Sequence, residues 1–157
     1  MMNERITYQD YPAGLLEGMR KTQDFIESSG LDHKLLELLY MRVSQINSCA
    51  YCLDMHYKKG LHYGDTPLRL ISVSAWRETP YYSEAEQAVL EFAETMTHMP
   101  AEAHTDGLHD KLQKHFTRQE ITILSLAVAQ INSWNRLMRS FGAVPGNFEV
   151  AVKSREK

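Results

Sequence analysis

Apolar residues along this chain recur three and four positions apart, and stretches of strict polar–apolar alternation are hard to find. The run AGLLEGMRKTQDFIESS, residues 13–29, reads as an amphipathic helix stopped by Gly30. HKLLELLYMRVSQI, residues 33–46, follows with an apolar stripe of Leu35, Leu36, Leu39, Val43 and Ile46. Asn47 and Ser48 look like a break and a new N-cap, opening a helix from Cys49 to about His62 that Gly60 or Gly64 ends. Thr66 before Pro67 is a cap-then-proline start for LRLISVSAWR, residues 68–77. Ser83 with Glu86, and Thr117 with Glu120, have capping-box spacing and open helices over 84–99 and 118–132. A short helix is expected around 106–116, and the tail after Pro145 gives no clear signal.

These elements predict an all-α protein, a compact helical bundle in one domain spanning 1–157. One internal echo qualifies the picture. VSQINS at 43–48 and VAQINS at 128–133 agree at five of six positions. An internal repeat of a helix-break-helix pair would explain it, with cysteines only in the first copy. A shared need for one turn chemistry would explain it equally well.

Composition narrows the function classes. Hydrophobic residues make up 43% and charged residues 24%, ordinary for a soluble globular chain. The net charge is -3 and Lys and Arg form no stripe, which argues against nucleic acid as a partner. The opening MMNERITYQDYP carries charges and tyrosines where a signal peptide would be apolar. The most apolar later run, ITILSLAVAQI, is far short of the roughly 20 residues a membrane span needs. A cytoplasmic protein without a membrane partner is the expectation.

That compartment bears on the chain's two cysteines, Cys49 and Cys52, which lie three apart with His56 four residues on. A purely structural disulfide is not expected in a reducing environment, nor would so small a ring constrain much unfolded-chain entropy. On a helix, Cys49, Cys52 and His56 fall within roughly 60° of one another. The helix N-terminus favours thiolate over thiol, and residues i and i+3 meet the distance window of a disulfide. These are the parts of a redox cycle: thiolate to sulfenic acid, then disulfide, then exchange with an outside thiol. Two other readings stay open, zinc and inert burial. Zinc is short of a ligand, because His62 lies roughly 120° from His56, and His98, His104, His109 and His115 are spread out. No metal or other cofactor is therefore expected.

The pattern Glu37-x11-Cys49-x2-Cys52-x3-His56 resembles the signature of the alkylhydroperoxidase D (AhpD)-like family, within the carboxymuconolactone decarboxylase superfamily. The stretches MRVSQINSCAYCLDMH (41–56), SAWRETPYYSEAEQAVLEFAE (74–94) and INSWNRLMRSFGAVPG (131–146) look like successive blocks of such proteins. The resemblance implies an all-helical fold, a homo-oligomer (dimer, trimer or hexamer) and a hydroperoxide substrate. Cys52 would be the attacking thiolate and Cys49 the resolving partner. His56 and Glu37 would form the proton relay, and a thiol or a lipoylated protein would be the reductant. A ring-opening or decarboxylating enzyme that does not use the pair, and a redox-sensing module without turnover, are the alternatives. By periodicity alone Glu37 is a solvent-facing residue, almost opposite the apolar stripe of its helix. Tyr51 departs from the lipoamide-linked relatives, which carry histidine before the second cysteine. A phenol does not relay protons near neutrality as imidazole does, although it can donate a hydrogen bond. Trp134 and Asn135, at the echo position, are expected to pack helices and hydrogen-bond internally; Arg136 beside them would share the pocket wall only in a functional reading. Tyr81 and Tyr82, beside Pro80, are expected to cover a helix junction or a subunit contact.

Overall fold

Helix starts in this protein sit where side-chain caps allow them. The computed structural model describes residues 3–102 and 105–151. Among these residues there are seven α-helices and no strand: α1 Glu17–Glu27, α2 His33–Ile46, α3 Ala50–His62, α4 Pro67–Ser72, α5 Glu84–His98, α6 Asp106–Gln113 and α7 Arg118–Phe141. A 3-10 turn precedes them at Tyr8–Asp10, and a second 3-10 stretch, Val73–Glu78, continues from α4. Ser83 accepts from Glu86 N–H and Thr117 from Glu120 N–H, with both glutamates reaching back to their cap, so both capping boxes form. Thr66 caps α4 by accepting from Arg69 N–H ahead of Pro67.

Four sequence expectations change. First, α1 begins at Glu17 rather than Ala13, because Gly14 takes a left-handed φ of 81° that a helix cannot contain. Second, the 68–77 helix is split: Ala75 leaves helical geometry and the second half winds as 3-10. Third, Asn47 closes α2 rather than capping α3, Ser48 turns the chain with φ 52°, and Cys49 itself is the N-cap. Fourth, the second copy of the echo has no break. Ser133 stays helical, its hydroxyl donating to Ala129 O at 3.1 Å, and α7 runs unbroken for 24 residues. A duplicated helix pair is therefore not what the echo encodes. His104, one of the scattered histidines, lies outside the described residues.

α2 is the central element, packed against α3, α5 and α7. Leu36, Leu39, Tyr40 and Val43 join Ile26, Val89, Phe92, Leu112, Leu124 and Ile131 in the main core. Its other side, through Leu38 and Met41, packs on Leu70, Val73, Trp76, Tyr82 and Leu90. Residues 35–41 of α2 are thus all buried, a helix enclosed on every side rather than amphipathic. Tyr82 covers the α4–α5 junction as expected, its hydroxyl donating to Arg69 O at 2.5 Å and its ring lying under the Arg69 guanidinium.

Beyond α7, the chain folds back along α3. Lys58 Nζ donates to Gly146 O at 3.0 Å and Phe148 O at 2.9 Å, while Gly146 N–H donates to Asp54 Oδ2 at 3.0 Å. No helix among the described residues is long and apolar enough to cross a membrane.

Candidate functional site

The α2–α3 reversal places the cysteines. Ser48 reverses the chain, Cys49 N–H donates to Ser44 O at 3.0 Å, and Cys52 follows in the first turn of α3. The two sulfurs are joined as a disulfide, with Cα atoms 5.3 Å apart. Each cysteine exposes only 1% of its surface.

One turn further along α3, His56 is buried, and its Nδ1 lies 2.7 Å from Glu37 Oε2. Glu37 is 3% exposed, contrary to the solvent-facing position that its helix periodicity predicts. The reason is architectural: α3 covers the face of α2 opposite the Leu35 stripe, so that face is interior. Pairing with His56 is what makes burial of this carboxylate tolerable. His56 Nε2, the other ring nitrogen, is buried and has no hydrogen-bond partner among the described residues. Tyr40 packs its ring against the imidazole at 4.8 Å between centroids. Burial, followed by weaker contributions from Glu37 and Glu27, raises the Tyr40 phenol above its ordinary value and keeps it neutral.

Cys52 and His56 line one cavity of about 490 Å³. Its walls come from the N-terminal segment (Tyr8, Tyr11), from α1 (Arg20, Gln23, Asp24, Glu27), from α3 (Tyr51, Met55, Lys59) and from α7 (Trp134, Met138). Lys59 Nζ donates to Glu27 Oε1 at 3.0 Å. Burial works against the Lys59 charge, but Glu37 and Glu27 outweigh it and hold the ammonium above its ordinary pKa. Burial likewise opposes the Glu27 charge, and the hydrogen bond and charge of Lys59 lower its pKa regardless. Both groups are therefore ionised near neutrality.

All four residues of the sequence motif come together here: Cys49 bonds Cys52, Glu37 bonds His56, and His56 shares the cavity of Cys52. Trp134 both borders this cavity and packs on the main core. Asn135 is fully buried and hydrogen-bonds Ser44 and Asn47, as expected; Arg136 is exposed and turns back onto Asn132 of its own helix. The sequence reading missed Tyr40, Lys59, Arg20 and Met138. Lys59 was within reach, since it stands three residues after His56 and seven after Cys52 on one face of α3. Tyr40 is likewise one turn from Glu37. Arg20 and Met138 come from distant helices and leave no local signal. Among the described residues, no three His, Cys, Asp or Glu side chains are grouped to hold a metal ion.

A profile of the carboxymuconolactone decarboxylase family matches residues 10–95. The chain is 33% identical over 141 residues to the uncharacterized protein YdfG of Bacillus subtilis, covering 90% of this chain and 96% of YdfG. It is similar in structure to ATU0492 of Agrobacterium tumefaciens, a protein of unknown function provisionally placed in AhpD antioxidant defence. The TM-score is 0.86 at 33% identity, covering 92% of this chain and 99% of that one. The alkylhydroperoxidase AhpD core of an uncharacterized peroxidase-related protein from Ralstonia eutropha shares the fold, with a TM-score of 0.74 at 21% identity. That likeness covers 83% of this chain and 70% of the other.

Proposed function

This chain belongs to the carboxymuconolactone decarboxylase family, and from that footing we propose that it is a thiol-dependent hydroperoxide reductase. The observation that carries the reading is the buried Glu37–His56 pair, which leaves His56 Nε2 without a partner among the described residues, on the wall of the cavity that Cys52 also lines.

The cycle starts from the dithiol. His56, oriented by Glu37 through Nδ1, takes the Cys52 proton at Nε2. The Cys52 thiolate attacks the terminal oxygen of ROOH, the O–O bond breaks, and the leaving alkoxide takes the proton back from His56 as ROH. Cys52 is now a sulfenic acid. Cys49 attacks its sulfur, the S–O bond breaks, and the hydroxyl leaves with the Cys49 proton as water. The disulfide that remains is reopened by an outside thiol, small or carried on a lipoylated protein. A homo-oligomer belongs to the same reading, and exposed Leu68 and Ile71 offer apolar surface for it.

Stoichiometric cumene hydroperoxide, with dimedone trapping and mass spectrometry of the cysteines, tests the cycle. Wild type should lose both thiols to the disulfide. Cys49→Ser should accumulate a trapped sulfenic acid on Cys52, and Cys52→Ser should consume no peroxide in the presence of dithiothreitol. Full peroxide consumption by Cys52→Ser would sink the assignment.

A further inference from the structure

The two cysteines of the pair do not line the same space. Cys52 lines the cavity described above, whereas Cys49 lines a second one of about 480 Å³. This second cavity is walled by Arg5, Ser48, Ala50, Arg139 and the Gly142–Pro145 turn, among others. Tyr51 and Met138 border both cavities and so form the partition between them.

The two cavities also differ in charge. Around Cys52 the cations Arg20 and Lys59 are balanced by Asp24 and Glu27. Among the described residues, the Cys49 cavity has two guanidinium groups, Arg5 and Arg139, and no Asp or Glu on its wall. Both arginines donate to main-chain carbonyls: Arg5 to Arg139 and Ser140, and Arg139 to Asn47 at 2.9 Å. Neutral acceptors satisfy donors without cancelling charge. Among the described residues neither guanidinium joins an ion pair. A guanidinium has five N–H donors, so capacity remains for a carboxylate.

We propose that the Cys49 cavity is the entrance for the reductant, and that it takes a small thiol carrying a carboxylate. The inference rests on the dithiol cycle proposed above and concerns its reductive half. A thiolate RS⁻ attacks Cys49 Sγ, an RS–Cys49 bond forms, the Cys49–Cys52 bond breaks, and Cys52 leaves as the thiolate beside His56. A second RS⁻ attacks the sulfur of the bound RS group, forming RSSR and releasing Cys49 thiolate. Two thiols are oxidised and one disulfide is reduced. The mixed disulfide stays in the reductant's own cavity, so the peroxide cavity is empty when Cys52 becomes a thiolate again.

The full-length protein, oxidised with diamide, is reduced in a stopped-flow experiment by 3-mercaptopropionate, 2-mercaptoethanol and cysteamine, compared at equal thiolate concentration. The anionic thiol should react about tenfold faster than the neutral one and the cationic thiol slowest, with the preference fading in high salt. Arg139→Gln and Arg5→Gln should each shrink the anionic preference to less than about threefold. In both variants the readout is the ratio of the 3-mercaptopropionate rate to the 2-mercaptoethanol rate, so that a general change in disulfide reactivity cancels. Acid-quenched mass spectrometry should find the thiol adduct on Cys49. Rates indifferent to thiol charge, a preference untouched by both substitutions, or an adduct on Cys52 would each overturn the proposal. Should either variant fail to fold, the charge order, its salt dependence and the adduct site in wild type decide alone. Because diamide forms the disulfide, the outcome does not depend on whether hydroperoxide is the oxidant, which the dimedone experiment reads separately.

Discussion

Asn47 Nδ2 donates to Asn132 Oδ1 at 2.9 Å, so equivalent positions of the repeated hexapeptide touch each other. The same amide reaches Asn135 Oδ1 at 3.0 Å, and Asn135 Nδ2 donates to Ser44 Oγ at 3.0 Å. This network fastens the end of α2, and hence the turn that presents Cys49, to the middle of α7. Replacing the fully buried Asn135 by Ala strands the Ser44 hydroxyl and part of the Asn47 amide. We expect a loss of about 1–3 kcal/mol, or about 2–4 °C in Tm per kcal/mol at this size. An unchanged thermal midpoint would mean that the network contributes nothing.

Glu37→Gln keeps the shape of the carboxylate and removes its charge. His56 then loses the partner that fixes its tautomer and stabilises the imidazolium formed when Cys52 is deprotonated. Peroxide oxidation of Cys52 should slow by about a hundredfold, within the range of a positioned acid–base group, while circular dichroism stays that of wild type. A rate within twofold of wild type would remove Glu37 from the relay.

Acid stability should depend on Glu94. It accepts from Arg42 at 2.6 Å, Trp76 at 3.0 Å and Arg77 at 2.6 Å, with its side chain 12% exposed. Burial raises the Glu94 pKa, but the hydrogen bonds from Arg77, Trp76 and Arg42 outweigh it and bring it below the ordinary 4.5. A carboxylate lowered on folding gives stability that is complete above 4.5 and is lost as pH falls through the lower folded value. Glu94→Gln should cost about 2 kcal/mol near pH 7. The gap to wild type should close as pH drops below 4.5, and Tm measured from pH 3 to 7 reads it directly.

Gly60, in the third turn of α3, poses a contest of magnitudes. Alanine would gain about 1 kcal/mol of helix propensity. Its Cβ would stand 2.8 Å from Leu70 Cδ2 and 3.1 Å from Cδ1, and Leu70 is itself fully buried. Overpacking of that kind costs about 1–3 kcal/mol. We expect Gly60→Ala to lower Tm by a few degrees, because the whole isobutyl group is in the way and cannot move aside. A raised Tm would show that α4 shifts freely on α3.

Caps and motif spacing were readable because they are local. Ser83 and Glu86, or Thr117 and Glu120, meet through one turn of backbone, whatever the rest of the fold does. Glu37 was not readable by periodicity because a helical wheel assumes one wet face, and α2 has none between residues 35 and 41. Only the spacing to Cys49 and His56 pointed inward. The break after Asn47 and its absence after Asn132 also defeat local reading. The same Ile-Asn-Ser sequence turns with φ 52° at Ser48 and stays helical at Ser133, so tertiary contacts and the following residues decide. The cavities were illegible, since segments as distant as Tyr8, Arg20 and Met138 share a wall.

The clip between α3 and the segment after α7 has a thermodynamic consequence. Asp54 and Lys58 hold the middle of α3 to residues 146–148, and Glu37 holds it to α2 at His56. Opening or closing the cysteine bridge is thus confined to the residues between two sets of clamps, the Asn47 network with α7 before Ser48 and the Asp54 and His56 contacts after Cys52. With both flanks held, few residues are free to gain backbone entropy when the bridge opens. The redox couple is therefore governed by thiol chemistry at the two sulfurs rather than by refolding of the protein around them.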